Sequence, residues 1–185
     1  MPQTALEGGD VLLCRSKGLV ASLIRWGTRS VYSHVAVVAS GELQLIIEAI
    51  PSGGVRAIHA ENFKTEYDVF RIKDGHAFDL AGVTAYLIRM LARKYDFAST
   101  IRLGFTMFLR RMRLAKLFFF KATGQKAAAD ALQENNDYFC SELCYRAFAE
   151  GGKLDIVPQI GDAETTSPGD ISRSPVLAKI KGDIT

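Results

Sequence analysis

Asp137-Tyr138-Phe139-Cys140-Ser141-Glu142-Leu143-Cys144-Tyr145-Arg146-Ala147-Phe148 is the stretch on which the reading of this chain turns. Asp137 is a candidate N-cap, Glu142 lies near the first turn, and Gly151-Gly152 supplies a stop, so the spacing predicts a helix. Cys140 then stands in the first turn, where the helix macrodipole favours a negative charge and eases formation of a thiolate. Cys140, Leu143, Cys144 and Ala147 recur at i, i+3, i+4 and i+7, so both cysteines face whatever the helix packs on. A cysteine so placed is either a buried packing residue or a nucleophile. The second role needs a base and oxyanion donors from elsewhere in the chain.

Only His34, His59 and His76 can supply an imidazole. His34 opens the apolar, β-branched run Val35-Ala36-Val37-Val38-Ala39, where a strand would hold its ring at a sheet edge. His59 follows Ile58 near a strand end and is the reserve, whereas His76 sits in the polar turn Lys73-Asp74-Gly75-His76. A catalytic imidazole is usually oriented by a polar group on its second nitrogen, and Glu48 is the candidate. It lies inside Leu45-Ile46-Ile47-Glu48-Ala49-Ile50 and shares a strand face with Ile46 and Ile50, where an unpaired carboxylate would be costly. Pairing around Ser40-Gly41-Glu42 puts His34 opposite about position 47 or 48.

The rest of the chain bounds the setting. A length of 185 residues fits one domain, residues 1–185, and a hydrophobic share of 48% fits a folded one. Lys+Arg exceed Asp+Glu by 23 − 20 = 3, no broad case for nucleic-acid binding. Cys14, Cys140 and Cys144 cannot all pair, no zinc pattern is present, and no signal peptide or transmembrane run appears; the expectation is a reduced, cytoplasmic chain without a metal. Short strands are predicted at Val11–Cys14, His34–Ala39, Leu43–Ile50, Val55–Ile58 and Tyr67–Ile72, with a helix from Leu19 to Trp26 among them. A helix opening at Asp79 is expected to run to Lys94. Thr100 to Lys121 then carries six cations and no acid among large apolar residues, and it belongs to a helical insert placed at 100–134.

These motifs, in this order, carry a resemblance. Gly9-Asp10 before the first strand, Ser33-His34-Val35-Ala36-Val37-Val38, Glu48-Ala49, Gly54-Val55, Lys94-Tyr95-Asp96-Phe97, Tyr138-Phe139-Cys140-Ser141-Glu142-Leu143 and Ser167-Pro168-Gly169-Asp170-Ile171 resemble the permuted NlpC-type papain-like cysteine hydrolases. That is the YiiX/YaeF-like group, related to the lecithin retinol acyltransferase fold. In papain-like enzymes the cysteine precedes the histidine; in this group a circular permutation puts the histidine strand first and the cysteine helix last. The resemblance implies an α+β fold with a small antiparallel sheet and flanking helices, from which the basic, apolar helical insert departs. It implies Cys140 as nucleophile, His34 as base, Glu48 as the orienting group and no cofactor. Tyr95 and Ser33 would line the substrate cleft.

Three functions follow as expectations. The first is a hydrolase cleaving an amide, such as a cell-wall peptide, through a thioester acyl-enzyme. The second keeps the residues but makes the substrate a lipid ester, amide or thioester, for an acyl hydrolase or acyltransferase, with 100–121 touching a membrane surface. The third is a non-catalytic assembly protein in which Cys140 is structural.

Overall fold

The computed structural model describes residues 5–50, 53–93, 140–161, 163 and 165–180. Its frame is a six-stranded sheet in which every neighbouring pair is antiparallel. The strands are β1 (Val11–Cys14), β2 (His34–Ser40), β3 (Leu45–Ile50), β4 (Gly54–His59), β5 (Tyr67–Ile72) and β6 (Leu177–Lys179), in spatial order β4-β3-β2-β1-β5-β6. The helices are α1 (Leu19–Thr28), α2 (Leu80–Arg89), α3 (Cys140–Arg146), which continues as a π-helical turn over Ala147–Gly151, and α4 (Pro168–Ser172). This is the α+β class expected from the sequence, a small antiparallel sheet with flanking helices. The insert expected at 100–134 and the N-cap expected at Asp137 lie outside the described residues.

Alternation along the strands divides the core. Val11, Leu13, Val35, Val37, Ile47, Ala49 and Phe70 face α2 and α3, packing with Val83, Leu87, Cys140, Leu143, Cys144 and Phe148. Leu12, Cys14, Ala36, Val38, Ile46 and Val69 line the other face, under Leu6 and Phe63. α2 and the π-helical turn approach so closely that a Cβ on Gly151 would lie 2.5 Å from the Gly82 carbonyl oxygen. Glycine is required there by contact.

Local signals account for most element ends. Asp79 caps α2, its carboxylate accepting from the Gly82 N–H at 2.9 Å. α2 stops at Arg89, before the expected Lys94, because Ala92 takes a left-handed φ of 63°. α4 is closed by a capping box in which Ser167 and Asp170 each accept from the other's backbone N–H, with Pro168 at the helix start. The β2–β3 hairpin departs from the expected pairing. Its turn spans 41–44, beyond the expected centre at Gly41, so Ala36, not His34, stands opposite Glu48, and an irregularity between Val38 and Ser40 takes back one residue of the shift.

Candidate active site

His34 and Glu48 become diagonal neighbours on one face of the β2–β3 pair, two residues out of direct register. The diagonal suits long side chains, and His34 Nε2 lies 2.7 Å from Glu48 Oε2. Glu48 is only 4% exposed, so its charge must be met inside the protein. Its second oxygen, Oε1, accepts from Arg56 Nε at 3.0 Å and from a terminal guanidinium nitrogen at 2.7 Å. Arg56 reaches it because Glu48 and Arg56 are directly paired across β3 and β4.

Arg56 did not emerge from the sequence reading, although its signal was present. Counting pairs back from the Pro51-Ser52-Gly53-Gly54 turn puts a cation opposite the buried carboxylate.

Cys140, first residue of α3, hydrogen-bonds the His34 ring, whose Nε2 is committed to Glu48. That leaves Nδ1 as the nitrogen facing the thiol. The sulfur also accepts from the backbone N–H groups of Val35 and Ser141. Val35 has an amide to give for a reason of topology. The Val38 N–H turns to the β1 side, donating to the Asp10 carbonyl at 2.9 Å, so the Val35 N–H, an odd number of residues away, turns to the β3 side. The β2–β3 ladder begins only at Ala36, and the sulfur takes the place of a strand partner.

The electrostatics follow from these contacts. Burial pushes the Cys140 thiol up, but the His34 charge, the His34 hydrogen bond and the two amides outweigh it and hold the thiol below its ordinary value of 9.0. Burial pulls His34 down; the Cys140 thiolate and Glu48 outweigh that and raise the imidazole to about 10, against an ordinary 6.5. Glu48 is itself held below its ordinary value, burial being overcome by His34 and Arg56. Both directions favour a thiolate beside an imidazolium.

Cys14 and Cys144 differ. Burial drives both thiols well above their ordinary value, reinforced at Cys14 by the negative charges of Glu48 and Cys140 and at Cys144 by that of Cys140, and all three cysteines are free. Ser33 is buried; its hydroxyl accepts from the Ser16 N–H at 3.0 Å and lies 3.5 Å from the Cys14 carbonyl, tying the two ends of the β1–β2 connection. Tyr95 lies outside the described residues. His59 is exposed, its ring accepting from the Glu61 N–H at 3.3 Å at the start of a 3-10 turn, away from this network. His76 borders an open hollow of about 340 Å³ with Arg71 and Phe78. Asp10 of the Gly9-Asp10 motif binds the Arg71 guanidinium at 2.7 Å and supports the sheet.

Comparison with solved structures places the fold. The chain is similar to the metalloprotein yiiX of Escherichia coli O157:H7 (DUF1105), with a TM-score of 0.67 and 14% sequence identity over 97% of this chain and 99% of that one. No family model matches the chain. No curated protein matches it by sequence.

Proposed function

We propose that the chain is a cysteine hydrolase of the permuted NlpC-type papain-like kind, acting on an amide through Cys140, His34 and Glu48. One observation carries the reading: a buried thiol set against an imidazole that is itself braced by a buried, Arg-paired carboxylate, an arrangement that lowers the thiol and raises the imidazole. A packing cysteine needs none of these partners, as Cys144 shows one turn later.

The chemistry runs from a thiolate beside an imidazolium. Cys140 Sγ attacks the carbonyl carbon, the C–S bond forms, and the π electrons move to oxygen. As the tetrahedral centre collapses, the C–N bond breaks and the His34 imidazolium gives its proton to the departing amine. Neutral His34 then takes a proton from water as it attacks the thioester. The C–S bond breaks, the acid is released, and thiolate and imidazolium are restored. Glu48 keeps the ring oriented and charge-compensated in both halves, with Arg56 fixing Glu48. The Cys140 backbone N–H, which the Asp137 cap expected from the sequence would put in the first helical turn, is the natural oxyanion donor.

The similar structure is described as a metalloprotein. Among the described residues no group of three or more His, Cys, Asp or Glu side chains is placed to hold a metal ion, and the steps above use these side chains alone. Three free thiols suit a reducing, cytoplasmic setting. No helix among the described residues is long and apolar enough to cross a membrane. An acyl group carried by a lipid is the second reading, favoured by the apolar face of α1.

The test is differential alkylation by iodoacetamide at neutral pH, followed by peptide mapping. Cys140 should be modified at least ~100-fold faster than Cys14 or Cys144, since only the thiolate reacts. A panel of peptide amides and acyl-lipid esters should leave an acyl adduct on Cys140 in the intact mass, absent from Cys140→Ala. Slow, equal labelling of all three cysteines would return the site to a structural role.

A further inference from the structure

The connection from β1 to β2 leaves the sheet after Cys14 and returns at His34, two residues that face each other across the ladder. α1 therefore begins and ends beside the strand end that holds the candidate site. Ala21 and Thr28 are buried on its inner side, and a Cβ on Gly169 of α4 would meet Ser30 Cβ at 2.9 Å just past its end. Its outer side is apolar and exposed. Leu19 is 86% exposed, Leu23 58%, Trp26 38% and, beyond the helix, Val31 57%. Leu19, Leu23 and Trp26 recur at i, i+4 and i+7, one continuous stripe.

The chain segment that carries this stripe has charge of one sign. From Val11 to Gly41 the chain carries Arg15, Lys17, Arg25 and Arg29 and no aspartate or glutamate. Arg15 is paired with Glu66 and Asp68 of the neighbouring strand region, and Arg25 bonds Ser16 and Ser22. Lys17 and Arg29 make no ion pair among the described residues and are exposed. Exposed apolar side chains flanked in the chain by two cations without an ion pair match an anionic lipid surface, where the chains enter the headgroup boundary and the cations meet phosphate or carboxylate.

A second copy of the chain fits less well. An isologous contact through this face would set Lys17 and Arg29 against the same cations across a twofold axis, with no acid within 11–41 to relieve them. Four apolar side chains also fall far short of the roughly 20–30 residues a side of a standard protein interface.

We propose that the outer face of α1, with Val31, docks the protein on an anionic phospholipid bilayer, presenting the His34 end of the sheet to the membrane surface. The docking goes beyond the hydrolase reading and does not depend on it, so Cys140→Ala protein serves for the experiment. Trp26 is the chain's single tryptophan, and its emission therefore reports this face alone.

Vesicles of mixed phosphatidylcholine and phosphatidylserine should cosediment the protein at low salt and blue-shift its emission, and pure phosphatidylcholine should do neither. Raising the salt should release it. Leu19→Ser/Leu23→Ser, conservative for the fold because both side chains are exposed, should abolish both signals with far-UV dichroism and melting unchanged. Lys17→Glu/Arg29→Glu should weaken the partition by at least about thirtyfold, at about a fivefold loss for each cation removed even before the added acids repel the surface. Absence of wild-type binding would overturn the proposal. So would cosedimentation that survives the serine substitutions or leaves Trp26 unshifted, which would assign binding to another segment such as 100–121. Vesicle-independent self-association that the same substitutions abolish would assign the face to a second copy.

Discussion

Cys140 and Cys144 lie one turn apart on α3, both buried on the same side, and their thiols are driven in opposite directions. The helix is common to both. What differs is what each sulfur meets. Cys144 sits inside the apolar cluster, where burial raises its thiol and nothing opposes it. Cys140 sits at the margin of that cluster, where the β2–β3 ladder opens and offers it an imidazolium and two amides. Burial is the largest influence on both. At Cys140 it is outweighed by several smaller ones acting together, which means that removing one partner should undo much of the difference.

The largest effect is therefore expected from His34→Ala. It removes the leading opponent of burial, so the Cys140 thiol should rise above 9.0 and come to resemble Cys144. In the wild type the alkylation rate should be nearly flat from neutral pH upward, the thiolate being already formed. In His34→Ala it should be slow at pH 7 and climb about tenfold per pH unit, as for an ordinary thiol. Turnover should fall on the order of 10³-fold, the loss of a positioned acid–base group. The converse holds for Cys140→Ala: without the thiolate the His34 midpoint should drop below about 10, read from the ring protons by NMR. Since leaving-group protonation needs the imidazolium, wild-type turnover should decline as pH rises through that value. A His34 midpoint unmoved by Cys140→Ala would break the comparison.

How far the sequence discloses this contrast depends on what each feature rests on. Strand β5, Tyr67–Ile72, and β1, Val11–Cys14, are legible to the residue because local composition and flanking turns define them. The thiol, the imidazole and the carboxylate were also legible, since a buried acid in an apolar strand is costly enough to require a partner. Their registration was not. The turn at 41–44, centred beyond Gly41, shifts the hairpin by two residues and turns a direct pair into a diagonal one. The amide of Val35 is beyond any sequence pattern, because it becomes available only where a ladder ends. Leu19, Leu23 and Trp26 predicted a helix correctly, but periodicity reports that a face exists, never whether protein covers it.

Glu48 and Arg56 offer a graded way to sharpen the comparison. Glu48→Gln keeps an oxygen for the ring but removes the charge, and should cost about 10²-fold in turnover. Arg56→Ala leaves Glu48 ionised with one oxygen open to solvent, since Arg56 is itself 47% exposed. A hydrogen bond to a charged group contributes roughly 1.5–3 kcal/mol when buried, so this half-exposed one should cost about tenfold or less. Because Arg56 neutralises part of the Glu48 charge that holds the imidazolium, its removal should raise the His34 midpoint, a readout that a merely structural role would not move. Arg56→Lys should reverse part of it, limited by the loss of the two-nitrogen contact.

The smallest effect belongs to the other cysteine, and it is the control on which the comparison stands. Cys144→Ala deletes one sulfur from a tightly packed cluster beside Leu143 and Phe148, leaving a cavity smaller than a methylated side chain would. Stability should fall by about 1 kcal/mol, read as a modest drop in denaturant midpoint at constant slope. Turnover, the pH profile of Cys140 alkylation and the His34 midpoint should not move, because the Cys144 thiol is neutral throughout the working range and contributes no charge to the network. Were Cys144→Ala instead to shift the His34 midpoint, the two thiols would form one electrostatic unit. The position of a sulfur at the end of a ladder would then no longer explain why one cysteine of this helix is reactive and the next is not.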